Sequence, residues 1–397
     1  MKDLTQALDI DRSYITDVLR RLLFTSSPSG MTDVVVHAVC EELTALKIPY
    51  ELTRRGAIRA NIAGRRYSPD RAIIGHLDTL GAMVKELRPN GRPGLVPIGF
   101  WSARNAEGAR CSIFTDDGTQ FRATILPLKA SGHTFNTEID TQPVDWANLE
   151  LRIDEDCSCE ADLARLNINV GDTIAIDPCP EFLPNGFINS RYLDDKAGVA
   201  SILGAAKAVM ESGNELPVDC HLLFTISEEV GVGASHVLHG DVSEMVSIDN
   251  GTIAKGQNTS EYGATIAMMD SSGPFDWHLT RRLVEIAQEN GIEHSRDVFR
   301  YYRSDAAAAL EAGNDIRTAL VCFACDASHG YERTHIRSLE SVARLLGTYM
   351  LSAPLFERDR KPLGPVEDFP IAPIEKPDEE AAAKEAEAEA RAKAKDD

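Results

Sequence analysis

Side chains that bind metals fall just past the ends of short apolar runs that read as strands. AIIG is followed by His76, with Asp78 two residues on, and HLLFTIS is followed by Glu228 and Glu229. EMVSI is followed by Asp249, and TALVCFA leads within a few residues to Asp326 and His329. Asp194 and Asp195 stand at the entry to a helix that starts near Lys196. Open α/β sheets bind their ligands beyond the carboxyl ends of the strands, so segments far apart in sequence can converge there. Two imidazoles with several carboxylates suit zinc, cobalt or manganese, and so many carboxylates suggest two ions with one carboxylate as a bridge. Calcium rarely takes two histidines. On an extended backbone residues i and i+2 face one side, so Asp78 is expected to accept the second N–H of His76 and fix its tautomer. Of two adjacent glutamates at a strand end, one can ligate while the other serves as general base. Singly, each feature has a plain structural explanation: a hydrogen-bonded core histidine, a solvated Glu-Glu pair, an Asp cap near a helix dipole. The case is collective.

The elements that position these residues follow from periodicity. SYITDVLRRLLF, residues 13–24, places Ile15, Val18, Leu19, Leu22 and Leu23 at helical spacing. KAGVASILGAAKAVMESG reads as a helix, HLLFTIS and EMVSID as short buried strands, and DAAAALEAGNDIRTALVCFA as helix, loop and strand. Strands alternating with helices predict a three-layer α/β fold, a largely parallel sheet covered on both faces. From about residue 85 to 182 the helical period is lost, and CSIFTDDGTQFRATILPL holds two alternating runs joined at Asp117-Gly118, a hairpin signal. The expected organisation is a catalytic domain from 1–84 and 183–352, a β-rich insertion over 85–182, and a linker with an acidic tail over 353–397. The tail, with almost nothing apolar except alanine, is expected to be disordered or a lone solvated helix.

Composition excludes some partners. The chain carries 41 Lys and Arg against 62 Asp and Glu, a formal charge of −21, which repels nucleic acids and anionic membrane surfaces. From Glu375 on there are nine acids and five bases, so the tail does not account for that charge. No signal peptide and no apolar run of membrane-spanning length is found. Eight cysteines in 397 residues read as reduced thiols, hence a cytoplasmic protein. Cys322 and Cys325 have CxxC spacing but straddle an apolar strand end, so they read as core packing rather than a zinc knuckle or a redox pair. Cys157-Ser158-Cys159 is a second close pair.

These residues resemble the family-42 metallopeptidases, the glutamyl, deblocking and tetrahedral aminopeptidases of the dinuclear zinc exopeptidase clan. The resemblance runs in order through GHLDTLGAMV, VGDTIAIDP, NSRYLDDKAGVAS, FTISEEVGVGAS, SID, RSDAAA and the stretch around His329, roughly residues 10 to 350. It implies a zinc-exopeptidase-type sheet with an inserted β-barrel-like dimerisation domain that assists assembly and gates access. It makes His76 and Asp249 ligands of one metal, Glu229 and His329 ligands of the other, and Asp194 the bridge. Glu228 becomes the general base and Asp78 the partner of His76. The implied activity is removal of N-terminal residues from short peptides by a metal-bridging hydroxide, in a homo-oligomer of dimers that build a dodecamer. For the last ligand SHGYERTH offers both His329 and His335; distance from Asp305 favours His329, and Asp326 is a third candidate.

The chain departs from the family around the site: Thr79 follows the His-x-Asp where Glu is usual, and Ser227 precedes the glutamate pair where Gln is usual. Tyr302-Arg303-Ser304 stands for Gly-Gly-Thr, and Gly330-Tyr331 for Ser-Pro. These changes leave the ligands intact but put an unmodified peptide N-terminus in question. The alternative is an amide hydrolase acting on an acylated dipeptide osmolyte or its precursor, as in the branch associated with N-acetylglutaminylglutamine amide. A glycosidase fits less well, because paired carboxylates suit sugar hydrolysis but convergent histidines are not needed there, and aromatics are only 6%. A binding protein that keeps the fold without catalysis would be signalled by loss of Glu228 or a ligand, and all are present.

Overall fold

The structure, a computed structural model, describes residues 8–366 and 369–372. The acidic stretch from Glu375 lies outside the described residues. The chain divides into two compact units, Met1–Leu355 and Phe356–Asp397. The first holds every candidate site residue. In the second, the described structure is a short 3-10 turn at Glu357–Arg360.

The central strands of the large sheet run in the order Ile58–Ile62, Cys220–Thr225, Asp70–His76, Val242–Ile253 and Arg317–Asp326. The last four are parallel, and antiparallel strands flank them on both sides. All residues of Asp70–His76 and Cys220–Thr225 are buried, as continuous apolar runs in a parallel sheet require. Thr225 pairs with His76, so these two strands end side by side. The SID strand is longer than its apolar run suggests: it continues to Ile253 because its residues from Glu244 to Ile253 pair with Arg317–Asp326. Cys322 and Cys325 are buried in that partner strand, and all eight cysteines are free thiols.

Helices cover both faces. A Cβ on Gly75 would touch Val199 and Ile202 of helix Leu193–Ser212, whereas Thr225, in register with the next residue, points its hydroxyl at Asp305 of helix Asp305–Glu311. Side chains alternate along a strand, so the two helices lie on opposite sides. The first helix, Arg12–Leu23, is capped by Asp11 and buries Ile15, Val18, Leu19, Leu22 and Leu23, as its spacing predicts. It crosses Leu193–Ser212 at Gly204, where a Cβ would lie 2.6 Å from Ile15. The end of helix Ile336–Leu351 is tied down by Arg71, 1% exposed, which pairs with Glu244 at 3.5 Å and donates to the carbonyls of Ser352 and Ala353.

The second sheet has six antiparallel strands from Gly81–Glu86 to Thr173–Ile176. Leu151 N–H, in the last strand of its order, donates to Pro93 O beside the first at 2.9 Å, bringing the edges together like a barrel. The hairpin at Asp117-Gly118 joins Arg110–Phe114 to Gln120–Pro127, with Gly118 at φ +81. This sheet already begins at Gly81, ahead of residue 85, and Glu181–Phe182 pairs in the large sheet. Helix is not wholly lost here: Glu160–Arg165 and two four-residue turns, Gly132–Phe135 and Glu138–Thr141, are too short to show a period in sequence. Among the described residues no helix is long and apolar enough to cross a membrane.

Candidate metal centre

Strand ends and one interrupted helix start build the site. His76 is the last residue of its strand, and Asp249 lies within Val242–Ile253. Asp194 and Asp195 leave helical geometry at the head of Leu193–Ser212, which turns their carboxylates inward. The outcome is two groups of donors, His76–Asp194–Asp249 and Asp194–Glu229–His329, each with its ligand atoms within 4.8 Å of one another. Asp194 gives one oxygen to each imidazole: Oδ1 lies 3.2 Å from His76 Nε2 and Oδ2 lies 3.3 Å from His329 Nε2. Glu229 Oε2 is 3.5 Å from His329 Nε2, and Glu228 Oε2 is 3.9 Å from His76 Nε2.

Both imidazoles are oriented through Nδ1 by main-chain carbonyls, Asp78 O at 2.9 Å for His76 and Phe100 O at 2.8 Å for His329. Nδ1 is thereby held as a donor, and Nε2, directed at the carboxylates, is the nitrogen that each ring would offer to a metal. This corrects the role expected of the Asp78 side chain. The strand ends at His76, so the i, i+2 rule no longer applies: the carbonyl of Asp78 takes the ring's hydrogen bond, while its carboxylate Oδ1 stands 3.7 Å from Nδ1. The carboxylate instead accepts from the N–H groups of Glu228 at 3.0 Å and Glu229 at 3.3 Å and from Ser29 Oγ at 2.5 Å. Asp78 thus holds the glutamate pair in place.

The site is short of positive charge. Burial, with neighbouring carboxylates, pushes Glu228, Asp195 and Asp249 well above the usual acid range and Glu229 up to about 7. Burial pulls on His329 in the opposite sense, but Glu229 and Asp194 raise it to about 10. Burial also raises Asp194, yet hydrogen bonds from His329 and His76 hold it below its ordinary value. Lys196, one residue beyond Asp195, donates to Thr25 O at 2.6 Å rather than to these acids. A largely buried set of two imidazoles and three carboxylates with surplus negative charge fits divalent cations of the zinc, cobalt or manganese type.

Two further residues support the donors, and a third lies behind the strand end. Asn250 Nδ2 donates to Asp194 Oδ2 at 2.7 Å and Asp249 Oδ1 at 3.1 Å. Glu332 accepts from the main-chain N–H groups of Asp194 and His329. Asp305, at the head of its helix, accepts from Thr225 Oγ1 at 2.7 Å. Asn250 could have been found by its adjacency to Asp249, and Asp305 by the motif it matches; Glu332 gives no signal in sequence. The other two candidates for the last ligand lie elsewhere. His335 caps helix Ile336–Leu351 and packs edge-on against Phe187 and Tyr262, and Asp326 pairs with Arg333 at 3.4 Å.

The donors open into a cavity of about 950 Å³. Asp194, Glu228, Glu229, Asp249 and His329 line it, together with Phe100, Trp101, Tyr301, Tyr302 and Arg303. Phe100 is 91% and Tyr301 95% exposed. Of the residues that depart from the family pattern, Tyr302 donates to Asn250 O at 2.6 Å and Arg303 pairs with Glu311 at 2.6 Å. Ser227 accepts from Arg55 at 2.7 Å, and Tyr331 donates to Cys179 O at 2.6 Å. Of these, Tyr302 and Arg303 are the ones that line the cavity.

Residues 56–345 match the family model described as M42 glutamyl aminopeptidase. The chain belongs to that family. A relative, the Putative aminopeptidase YhfE of Bacillus subtilis (strain 168), is 36% identical over 85% of this chain and 97% of its own length. Aminopeptidase APDkam598 from the archaeon Desulfurococcus kamchatkensis superposes with a TM-score of 0.78 at 23% identity, over 86% of this chain and 96% of that one. The Pyrococcus horikoshii TET1 peptidase, which can assemble into a tetrahedron or a large octahedral shell, gives 0.74 at 20% identity over 85% of this chain and all of that one. At those identities the two structures establish the fold. Family membership makes this M42 chain a hydrolytic, metal-dependent aminopeptidase, and the paired donor groups are a candidate metal-binding cluster.

Proposed function

We propose that the chain is a dinuclear aminopeptidase that hydrolyses N-terminal residues from short peptides, with Glu228 as general base. The observation that carries this reading is the pair of donor triplets sharing Asp194, with Glu228 beside them at the floor of an open cavity. His76 and Asp249 would hold one ion, Glu229 and His329 the other, and Asp194 both. Ions bound there would polarise the scissile carbonyl and lower the pKa of water. Glu228 takes the proton from the attacking water and returns it to the leaving amine; burial among acids suits it to hold that proton between the two steps. Asp78 fixes Glu228 through its main-chain N–H. The acidic floor draws in a substrate's free ammonium group, and the aromatic rim of Phe100 and Tyr301 leaves room for a short peptide.

Zinc or cobalt is the proposed metal, with manganese third, in a reduced cytoplasmic setting consistent with eight free thiols. The proposed domains are a catalytic one from 1–84 and 183–352 and an insertion over 85–182 that mediates dimerisation. Assembly into a homo-oligomer is proposed by analogy with the shells of the TET1 peptidase. A second reading, hydrolysis of an acylated dipeptide amide, is favoured by Tyr302 and Arg303, which enter the cavity where the family pattern has glycines. The test is the metal-stripped protein, with and without Zn, Co or Mn, on aminoacyl anilides, N-acetylated glutaminyl dipeptides and carboxymethylcellulose, with Glu228→Gln alongside. Metal-restored cleavage of free-amine substrates that is lost in Glu228→Gln supports the first reading. Cleavage of the acylated peptides alone moves the protein to the second, and metal-independent activity on the polysaccharide sinks both.

A further inference from the structure

We infer that Glu332 is a positioning residue that sets the geometry of the Asp194–Glu229–His329 triplet, and through it the affinity for one of the two ions. The inference rests on the two-ion reading above. Glu332 is 2% exposed. Its Oε2 accepts from Asp194 N–H at 3.2 Å and its Oε1 from His329 N–H at 2.9 Å. One carboxylate thus joins two segments that are far apart in sequence and that each deliver a metal donor. Both bonds go to main-chain groups, so the imidazole and the Asp194 carboxylate stay free to ligate.

The local backbone explains why such a clamp is needed. His329 sits at φ +62 and Ala327 at φ +57, left-handed conformations that L-residues adopt only when their surroundings enforce them. Glu332 supplies that enforcement at His329 N–H, three residues from its own position, while Asn105 Nδ2 donates to His329 O at 3.0 Å. Glu332 itself is fixed by strand pairing: it lies opposite Ser190, and the chain runs from there through Tyr192 at φ +68 into Asp194. The other triplet is held differently. His76 donates its main-chain N–H to Asp195 Oδ2 and its ring Nδ1–H to Asp78 O, and Asp249 accepts from Asn250. Asp194 is shared by both triplets but His329 belongs to one, so loosening Glu332 acts mainly on the His329 side.

The test is calorimetric titration of the metal-stripped full chain with Zn²⁺, repeated with Co²⁺ to read its visible absorption. Glu332→Gln keeps the shape but turns one oxygen into an NH₂ that cannot accept from a main-chain N–H, so one of the two bonds is lost. The wild type should bind two ions. Glu332→Gln should weaken one step by roughly 10- to 100-fold and the other, which depends on Glu332 only through the shared Asp194, by much less. In a His329→Ala background, which removes that triplet's imidazole, Glu332→Gln should have a much smaller effect than in the wild type. Should Glu332→Gln fail to fold, Glu332→Asp, with both oxygens on a shorter stem, is titrated instead with the same expectation of one weakened step. Equal weakening of both steps overturns the inference. So does an unchanged titration, whether or not the stripped protein melts lower, because Glu332 would then be structural only. A wild type that binds fewer than two ions overturns the two-ion reading itself.

Discussion

Asp78 offers the sharpest test of how the site is built, because sequence spacing and structure assign its carboxylate different work. In the structure that carboxylate, fully buried, accepts the N–H groups of Glu228 and Glu229 at 3.0 and 3.3 Å. Hydrogen bonds to a charged group contribute about 1.5–3 kcal/mol each, so Asp78→Ala, which orphans both amides, should cost about 3–6 kcal/mol. Asp78→Asn retains one oxygen and presents an NH₂ to the other amide, so about 1.5–3 kcal/mol is expected. Urea unfolding of the stripped protein reads this without a contribution from bound ions. The same loosening lets Glu228 drift, and misplacement by about 1 Å costs on the order of 100-fold, so kcat in Asp78→Asn should fall by about that factor with KM little changed. Two results would refute the reasoning. If stability drops as computed but kcat holds, Asp78 does not position Glu228. If metal affinity falls chiefly at the His76–Asp194–Asp249 triplet, the carboxylate rather than the carbonyl of Asp78 orients His76.

Gly233 packs against the site so closely that a Cβ would lie 1.8 Å from Asp305 Oδ1 and 3.2 Å from Glu228 Cα; Gly233→Ala should therefore depress kcat strongly, whereas Gly231→Ala, with nothing within 4 Å but φ +79, should act through backbone strain of about 1 kcal/mol, seen in urea melts. Arg71→Ala leaves Glu244 buried without its cation and should cost about 3–5 kcal/mol by urea denaturation; a change under about 1 kcal/mol would show that the pair contributes little. Lys196 is pulled down to about 7 by burial, against about 10.4 in an unfolded chain. Between those values the unfolded state holds a proton that the folded state lacks, so stability should rise with pH across that window, and Lys196→Met should flatten the rise when unfolding midpoints are compared from about pH 7 to 9.

The donors were legible because the strand ends that carry them are marked by apolar runs, and because parallel pairing brings those ends together: His76 beside Thr225, Asp249 beside Cys322. The hairpin at Asp117-Gly118 and the first helix were legible for the same local reason, a period or a turn dipeptide. What stayed hidden is what acts through the main chain. The carbonyls of Asp78 and Phe100 that orient the two imidazoles, and the N–H groups that Glu332 accepts, leave no trace in residue type. Phe100 and Asn105 belong to the segment read as an insertion, yet both hold His329. The short helix Glu160–Arg165 was missed because six residues contain less than two turns.

That both imidazoles lean on carbonyl oxygens rather than on side chains bears on how freely the chain can vary. A carbonyl carries no proton to lose and is supplied by any amino acid, so no substitution at position 78 or 100 other than one that moves the backbone can turn either ring. Acidification likewise leaves those two supports untouched. The side chains at those two positions are thereby released from orienting the rings, and the carboxylate of Asp78 is free to hold the glutamate pair instead.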